Sequence, residues 1–194
     1  MTEIGEGLEA WAGGLFVEGS VRLRQFRESD TEKLSEWWRD PSVTIMQTDR
    51  MPVGDDATLT EMFRMWNKND TPSACGYSLI NHEGEFVGHV SLWGVTPPTM
   101  IATLAVIVGP EHQGNGHGRD AVRAALRIAF EEMGVNKVEL QVWHFNTRAR
   151  GLYASLGFVE EGVRRAAVYH RSAFHDQVLM GMLRDEYLTM ATRR

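Results

Sequence analysis

The chain has 194 residues, 43% hydrophobic and 24% charged, a composition that makes one globular domain with a real core the expectation. Its net charge is -6 and its pI about 5.6, which excludes an overall basic protein and leaves nucleic acid outside the expected partners. Cys75 is the one cysteine, so an internal disulfide is excluded, and no zinc-type Cys/His spacing surrounds it.

Residues Met1 to Gly14 read as a flexible leader, with a single domain over 15–194. The start is acidic and lacks a long apolar run, so neither a secretory signal nor a membrane partner is expected, and the cytoplasm is the default compartment. LFVEGSVRLRQF reads as a strand, a Glu-Gly-Ser turn and a second strand. Ser29-Asp30 signals a helix start, and Leu34, Trp37 and Trp38 follow with the spacing of an apolar stripe until Asp40-Pro41 stops it. Ala57 to Trp66 reads as another helix. GYSLINHEGEFVGHVSLWGV reads as two strands joined by a turn at His82, Glu83 and Gly84. Residues Thr44 to Pro72 otherwise carry no legible pattern.

Ile101 to Val108 is a nearly continuous apolar run, the mark of a central strand covered on both sides. Arg119 to Met133 is predicted helical, with Val122, Ala125, Leu126, Ala129 and Met133 on one face and Asp120, Arg123, Arg127 and Glu131 on the other. Lys137 to Trp143 alternates as a strand. A helix over Thr147 to Leu156 follows, then strands near Phe158 to Arg164 and Gln177 to Leu183, with an undeciphered connection from Ala166 to His175. This order predicts a mixed α/β (α+β) fold.

The chemistry concentrates in LAVIVGPEHQGNGHGRDAVRAALRIAF. A buried strand enters a glycine-rich turn and an amphipathic helix leaves it, a geometry that points backbone N–H groups and the helix dipole at one anion. An ordinary glycine turn remains the plain alternative. A P-loop is excluded, because no Lys-Ser or Lys-Thr follows the glycines. Gly116, Gly118 and Ala121 spell G-x-G-x-x-A, with Glu139 about twenty residues on. Gly109 to Gly114, however, separate that fingerprint from the strand, and Glu139 falls inside a strand rather than at its end.

Gln113, Gly116 and Gly118 also fit [QR]-x-x-G-x-[GA], and NTRARGLYASLGF downstream fits N-x-x-A-x-x-L-Y-x-x-x-G-F at Asn146, Ala149, Leu152, Tyr153, Gly157 and Phe158. The two motifs in this order resemble the GNAT superfamily of acyl-CoA-dependent N-acyltransferases over roughly Val21 to Tyr187. VRLRQFRESD and DQVLMGMLRDEY resemble its ribosomal-protein-alanine acetyltransferase branch, which also holds enzymes acting on small amines.

The resemblance implies a twisted, mostly antiparallel sheet of six or seven strands, a splayed parallel pair and helices on both faces. It implies acetyl-CoA as acyl donor, no metal, and an amine acceptor that is a peptide N-terminus or a small molecule. The backbone of Val106, Ile107 and Val108 would bond the pantetheine arm. The pyrophosphate would lie on Gln113, Gly114, Asn115, Gly116, His117, Gly118 and Arg119, and Asn146 would touch the arm or cap its own helix. A neutral amine would attack the thioester directly. Tyr153 matches the tyrosine that protonates the leaving sulfur, and also contacts the cofactor.

The strand glutamate common among relatives is missing, since Ile101, Ala102 and Thr103 stand there. His144 is the candidate base, with His175, Asp176, Glu36 and Asp40 as further polar groups near the acceptor. Trp37, Trp38, Trp66 and Trp93 are candidates for an aromatic acceptor pocket, although the stripe makes Trp37 a core residue. Dimers are common in the branch. A sensor that binds acyl-CoA without turnover, and a dinucleotide-dependent oxidoreductase, stand as alternatives.

Overall fold

A computed structural model describes residues 3–48 and 54–192. Its centre is an eight-stranded sheet in the order β1-β2-β3-β4-β5-β6-β8-β7. The strands are β1 (Val17–Glu18), β2 (Val21–Arg24), β3 (Cys75–Ile80), β4 (Phe86–Trp93), β5 (Ile101–Val108), β6 (Lys137–Trp143), β7 (Val159–His170) and β8 (Ala173–Leu183). That is one or two strands more than expected. Of the pairings among the described residues, only β5 with β6 is parallel, so the doubly wound parallel sheet of a dinucleotide fold does not form.

The helices are α1 (Glu3–Gly14), α2 (Asp30–Arg39), α3 (Pro41–Gln47), α4 (Asp56–Trp66), α5 (His117–Arg127), α6 (Thr147–Ser155) and α7 (Arg184–Ala191). α1 replaces the weak structure expected of the leader. Its sequence holds no proline, and Leu15 just beyond it packs on the core. α3 was not foreseen. Asp40 caps it by accepting from the Ser42 N–H at 2.8 Å, and Pro41 occupies the first turn, where no N–H is needed.

Two cores flank the sheet. On one face Leu34, Trp37 and Trp38 of α2 pack with Leu59 and Phe63 of α4 over Ile107. On the other, Val122, Ala125, Leu126 and Ala129 of the long helical segment cover β3 to β6, as their spacing predicts. That segment starts at His117, two residues earlier than expected. Past Arg127 it loosens into a π-helical turn, in which Met133 N–H reaches Ile128 O at 2.9 Å. The opposite stripe is not merely solvated: Arg127 bonds Glu18 at 3.0 Å, and Asp120 accepts from Ser20 N–H at 2.8 Å, tying the helix to the β1–β2 turn.

The last two strands are longer than expected. The Ala166–His175 connection is itself mostly strand, turned tightly at Arg171 and Ser172 with φ 51° and 61°. Positive φ at both turn residues suits a hairpin, yet neither is the Gly or Asn that announces such a turn in a sequence.

Candidate active site

β5 and β6 pair only from Ile101↔Lys137 to Thr103↔Glu139. Beyond that β5 stays with β4 and β6 with β8, so the two strands diverge and leave a gap. Backbone polar groups alternate along a strand. Gly109 N–H bonds Val87 O across β4 at 3.0 Å, which sends the polar groups of Ile107 to β4 and those of Leu104, Val106 and Val108 into the gap. Ile107 is therefore corrected: its backbone is committed to the sheet and its side chain is core. In the gap, Val106 O accepts from Gln47 Nε2 at 3.1 Å, and Val108 O from Gln113 Nε2 at 3.2 Å.

The glycine turn closes one end of this gap. Gly114 and Gly116 have φ 92° and 87°, the left-handed region that disfavours a side chain. Gly116 N-caps α5. Gly118 is different: a Cβ there meets Val108 and Leu152 only at 3.6 and 3.7 Å, the tolerance of the [GA] position in the motif. Among the described residues the N–H groups of Gly114, Asn115, Gly116, His117 and Gly118 have no acceptor. Arg119 N–H does, bonding Gly116 O at 2.9 Å, and its guanidinium reaches Ser155 at 3.0 Å. Arg148 holds Gln113 Oε1 at 2.8 Å, and the His117 ring meets Ser20 Oγ at 2.9 Å. Upstream, Gly109 is obligatory for packing, since a Cβ would lie 2.3 Å from the Trp37 ring.

These parts line one cleft of about 1020 Å³, which runs from His112–Arg119 along the gap and out past α3. Asn146 lines it and also caps α6, accepting from Ala149 N–H at 3.1 Å. Tyr153 lines it too. Burial pushes its phenol up to about 12, and its hydroxyl has no hydrogen-bond partner among the described residues. No Asp or Glu lines the cleft among the described residues, and none of their His, Cys, Asp and Glu side chains form a cluster that could hold a metal ion.

Several expected groups lie elsewhere. His144 is exposed just past the end of β6, its N–H bonded to Asp176 O at 2.9 Å, and it does not line the cleft. The chain has already left the strand there, so alternation no longer aims the ring at the gap. Asp176 accepts from Ala166 N–H and His175 reaches His170 O. Glu36 pairs with Lys33 and Asp40 caps α3. Trp37, Trp38 and Trp66 belong to the apolar cluster under α2 and α4, with Trp38 and Trp66 5.4 Å apart; of the four tryptophans Trp93 alone lines the cleft. Missed by sequence reasoning were Gln47, Gln141, Trp143 and Gln177, which also line it. The strand alternation of Lys137 to Trp143 could have put Gln141 and Trp143 on one face, but nothing marked that face as the open one.

A splayed strand pair with an anion-ready turn at one end defines an acyl-CoA-type transferase fold. The acetyltransferase (GNAT) domain family matches residues 20–159. An uncharacterized N-acetyltransferase of Bacillus licheniformis is 26% identical over 86% of this chain and 94% of its own. The spermidine N(1)-acetyltransferase of Vibrio cholerae is 32% identical over 66% and 75%. A crystal structure of the V. cholerae spermidine enzyme with CoA and spermine shares the fold at a TM-score of 0.79 and 24% identity, covering 87% of this chain and 98% of that one. The chain belongs to the GNAT acetyltransferase family: it is an N-acetyltransferase that takes acetyl-CoA as acyl donor and an amine as acceptor.

Proposed function

We propose that the cleft carries the donor in the gap and the acceptor amine on the open face beyond α3, where Trp93, Gln141 and Gln177 stand. The observation that carries this reading is the meeting of two features: strands that part after Thr103, and a helix start whose N–H groups lack acceptors among the described residues. The N–H groups of Gly114 to Gly118 take the pyrophosphate. Those of Val106 and Val108 face the arm and the thioester oxygen, replacing the lost strand partner. Gln47 and Gln113 hold the carbonyls of the same strand until the arm arrives. Asn146 donates from its Nδ2 while its oxygen caps α6.

Tyr153 gives its hydrogen bond to the departing sulfur. His144 has no part in this scheme, and with no carboxylate lining the cleft among the described residues the ammonium loses its proton to water. Residues 15–194 form the acyltransferase unit, with the first fourteen residues as an appendage. A cytoplasmic setting fits a free Cys75 thiol that burial pushes up to about 11. The exposed edge of β7, with Val163 at 44% and Tyr169 at 55%, supports a homodimer. Among the described residues no helix is long and apolar enough to cross a membrane.

Calorimetric titration with acetyl-CoA, with NAD as control, tests the reading. Micromolar acetyl-CoA binding that Gly116→Trp abolishes is expected. Absence of binding by the folded wild type, or unchanged affinity in the variant, overturns it.

A further inference from the structure

The acceptor end of the cleft is built by one row across three strands. Trp143 of β6 faces Gln177 of β8, and Gln177 faces Arg164 of β7; Gln141 lies two residues before Trp143 on the same face of β6. Arg164 Nη1 stands 3.2 Å from Gln177 Oε1 and 3.5 Å from Gln141 Oε1. A guanidinium only donates, so the atom each glutamine turns to it is the carbonyl oxygen, whichever way an amide is drawn. The remaining NH₂ of each is then a donor turned away from Arg164, that of the exposed Gln141 open to solvent. Among the described residues neither Nε2 has a partner, and Arg164 makes no ion pair. Trp143 adds a third donor. It is 8% exposed and lines the cleft, and its Nε1 is buried with no partner among the described residues. An unsatisfied buried N–H of this kind is costly to keep, which points to a group that satisfies it on binding.

We infer that Gln141, Gln177 and Trp143, with Arg164 behind them, form a donor-only subsite for an oxygen on the acceptor, the carbonyl or carboxylate of an amino-acid-like or peptide-like amine. The inference rests on the acetyl-transfer reading of the same cleft. A polyamine offers only more N–H donors, and donor facing donor gains nothing. The positive charge of Arg164 reaches the cleft through the two amides, polarising them towards a negative or partly negative oxygen. Arg164 does not touch the acceptor; it is a positioning residue.

The test compares kcat/KM of the full chain for three acceptors at saturating acetyl-CoA: an α-amino amide, an alkylamine of matched length without the oxygen, and spermidine. The wild type is expected to prefer the amide over either other amine by about tenfold or more, the worth of one hydrogen bond with charged assistance. Gln177→Glu turns a donor into an acceptor and should erase or invert that preference. Arg164→Gln, at an exposed position that tolerates change, should raise KM for the amide more than it lowers kcat. Acetyl-CoA affinity, read by calorimetry, should be unchanged in both. A wild type that uses spermidine or the alkylamine as well as the amide, one that acetylates none of the three, or variants that keep the wild-type preference would each overturn the subsite. Loss of acetyl-CoA binding by the wild type would instead sink the underlying enzyme reading, so the two failures are separable.

Discussion

Tyr153 shows how burial sets the chemistry of one side chain. Its phenol is pushed up to about 12, so at neutral pH it is a donor and never a base. A thiol ordinarily titrates near about 8.5, and handing a full proton from such a phenol to such a thiolate is uphill by about 3 to 4 units. The useful act is therefore a hydrogen bond to the sulfur as charge grows on it, with transfer completed only as the same dry surroundings raise the sulfur's own affinity for protons. Tyr153→Phe keeps the ring among Leu156 and Phe158 and removes only the donor. Turnover is expected to fall by about 10²-fold, with acetyl-CoA affinity unchanged by calorimetry. Wild-type turnover would take Tyr153 out of the chemistry.

Tyr153 was legible only through the family motif it matches, whereas Gly157 at positive φ and the N-capping Asn146 beside it are local demands of the backbone. Gln177 and Arg164 were not legible, because their meaning lies in facing Trp143 across two strand pairings. No periodicity reveals which strands become neighbours.

At the scale of elements, α2, α4 and β2 to β4 are joined by two adjoining polar knots in an otherwise apolar layer. Burial pushes the Asp30 carboxyl up, but bonds from Arg24, Ser78 and the Arg27 N–H outweigh it and hold it below the usual carboxylate range. Ser29-Asp30 thus begins α2 where the sequence places the start, yet Ser29 makes no cap bond and Asp30 serves the interior. Beside this knot, His89 of β4 meets Asn67 Oδ1 at 2.9 Å, and Asn67 Nδ2 reaches Phe63 O at 2.7 Å. The carboxylate of Asp30 favours the imidazolium, but the larger effect is burial, and it pushes His89 down to about 4. The ring is neutral and donates to Asn67.

The pH consequence follows from the sign. An unfolded histidine titrates near about 6.5, so between that value and about 4 the unfolded chain binds the extra proton and the folded one does not. Stability must fall as pH drops through this window, by about 3 kcal/mol at its lower end. The contribution of Asp30 is lost only at still lower pH. His89→Gln keeps a donor for Asn67 without the titration. Thermal midpoints measured from pH 7 to 4 are expected to fall less steeply in this variant than in the wild type; identical slopes would place the acid sensitivity elsewhere.

For the whole molecule the sheet divides the labour between its faces. α2, α3 and α4 cover β2 to β5 on one side and α5 fills the other, and among the described residues no helix covers the far half of the first face, over β6, β8 and β7, where the cleft opens. α1 lies away from all of this. Among the described residues, Trp11 Nε1 donates to Glu131 at 3.4 Å and the helix touches β1, while Leu8 is 60% exposed. Glu131 keeps the Tyr187 hydroxyl at 2.5 Å if Trp11 is lost, and Leu15, which packs on the core, lies just outside the helix. Removal of residues 1–14 should thus delete, among the described residues, one weak exposed hydrogen bond and the partial burial of Trp11. The expected cost is about 1 kcal/mol, a drop of about 2 to 4 °C in midpoint for a chain of this size. Acetyl-CoA affinity and turnover should stay within about twofold, because the glycine turn is anchored by Ser20 and Trp37 rather than by α1. A truncated chain that unfolds, or that binds acetyl-CoA tenfold more weakly while remaining folded, would show that the first helix belongs to the acyltransferase unit itself.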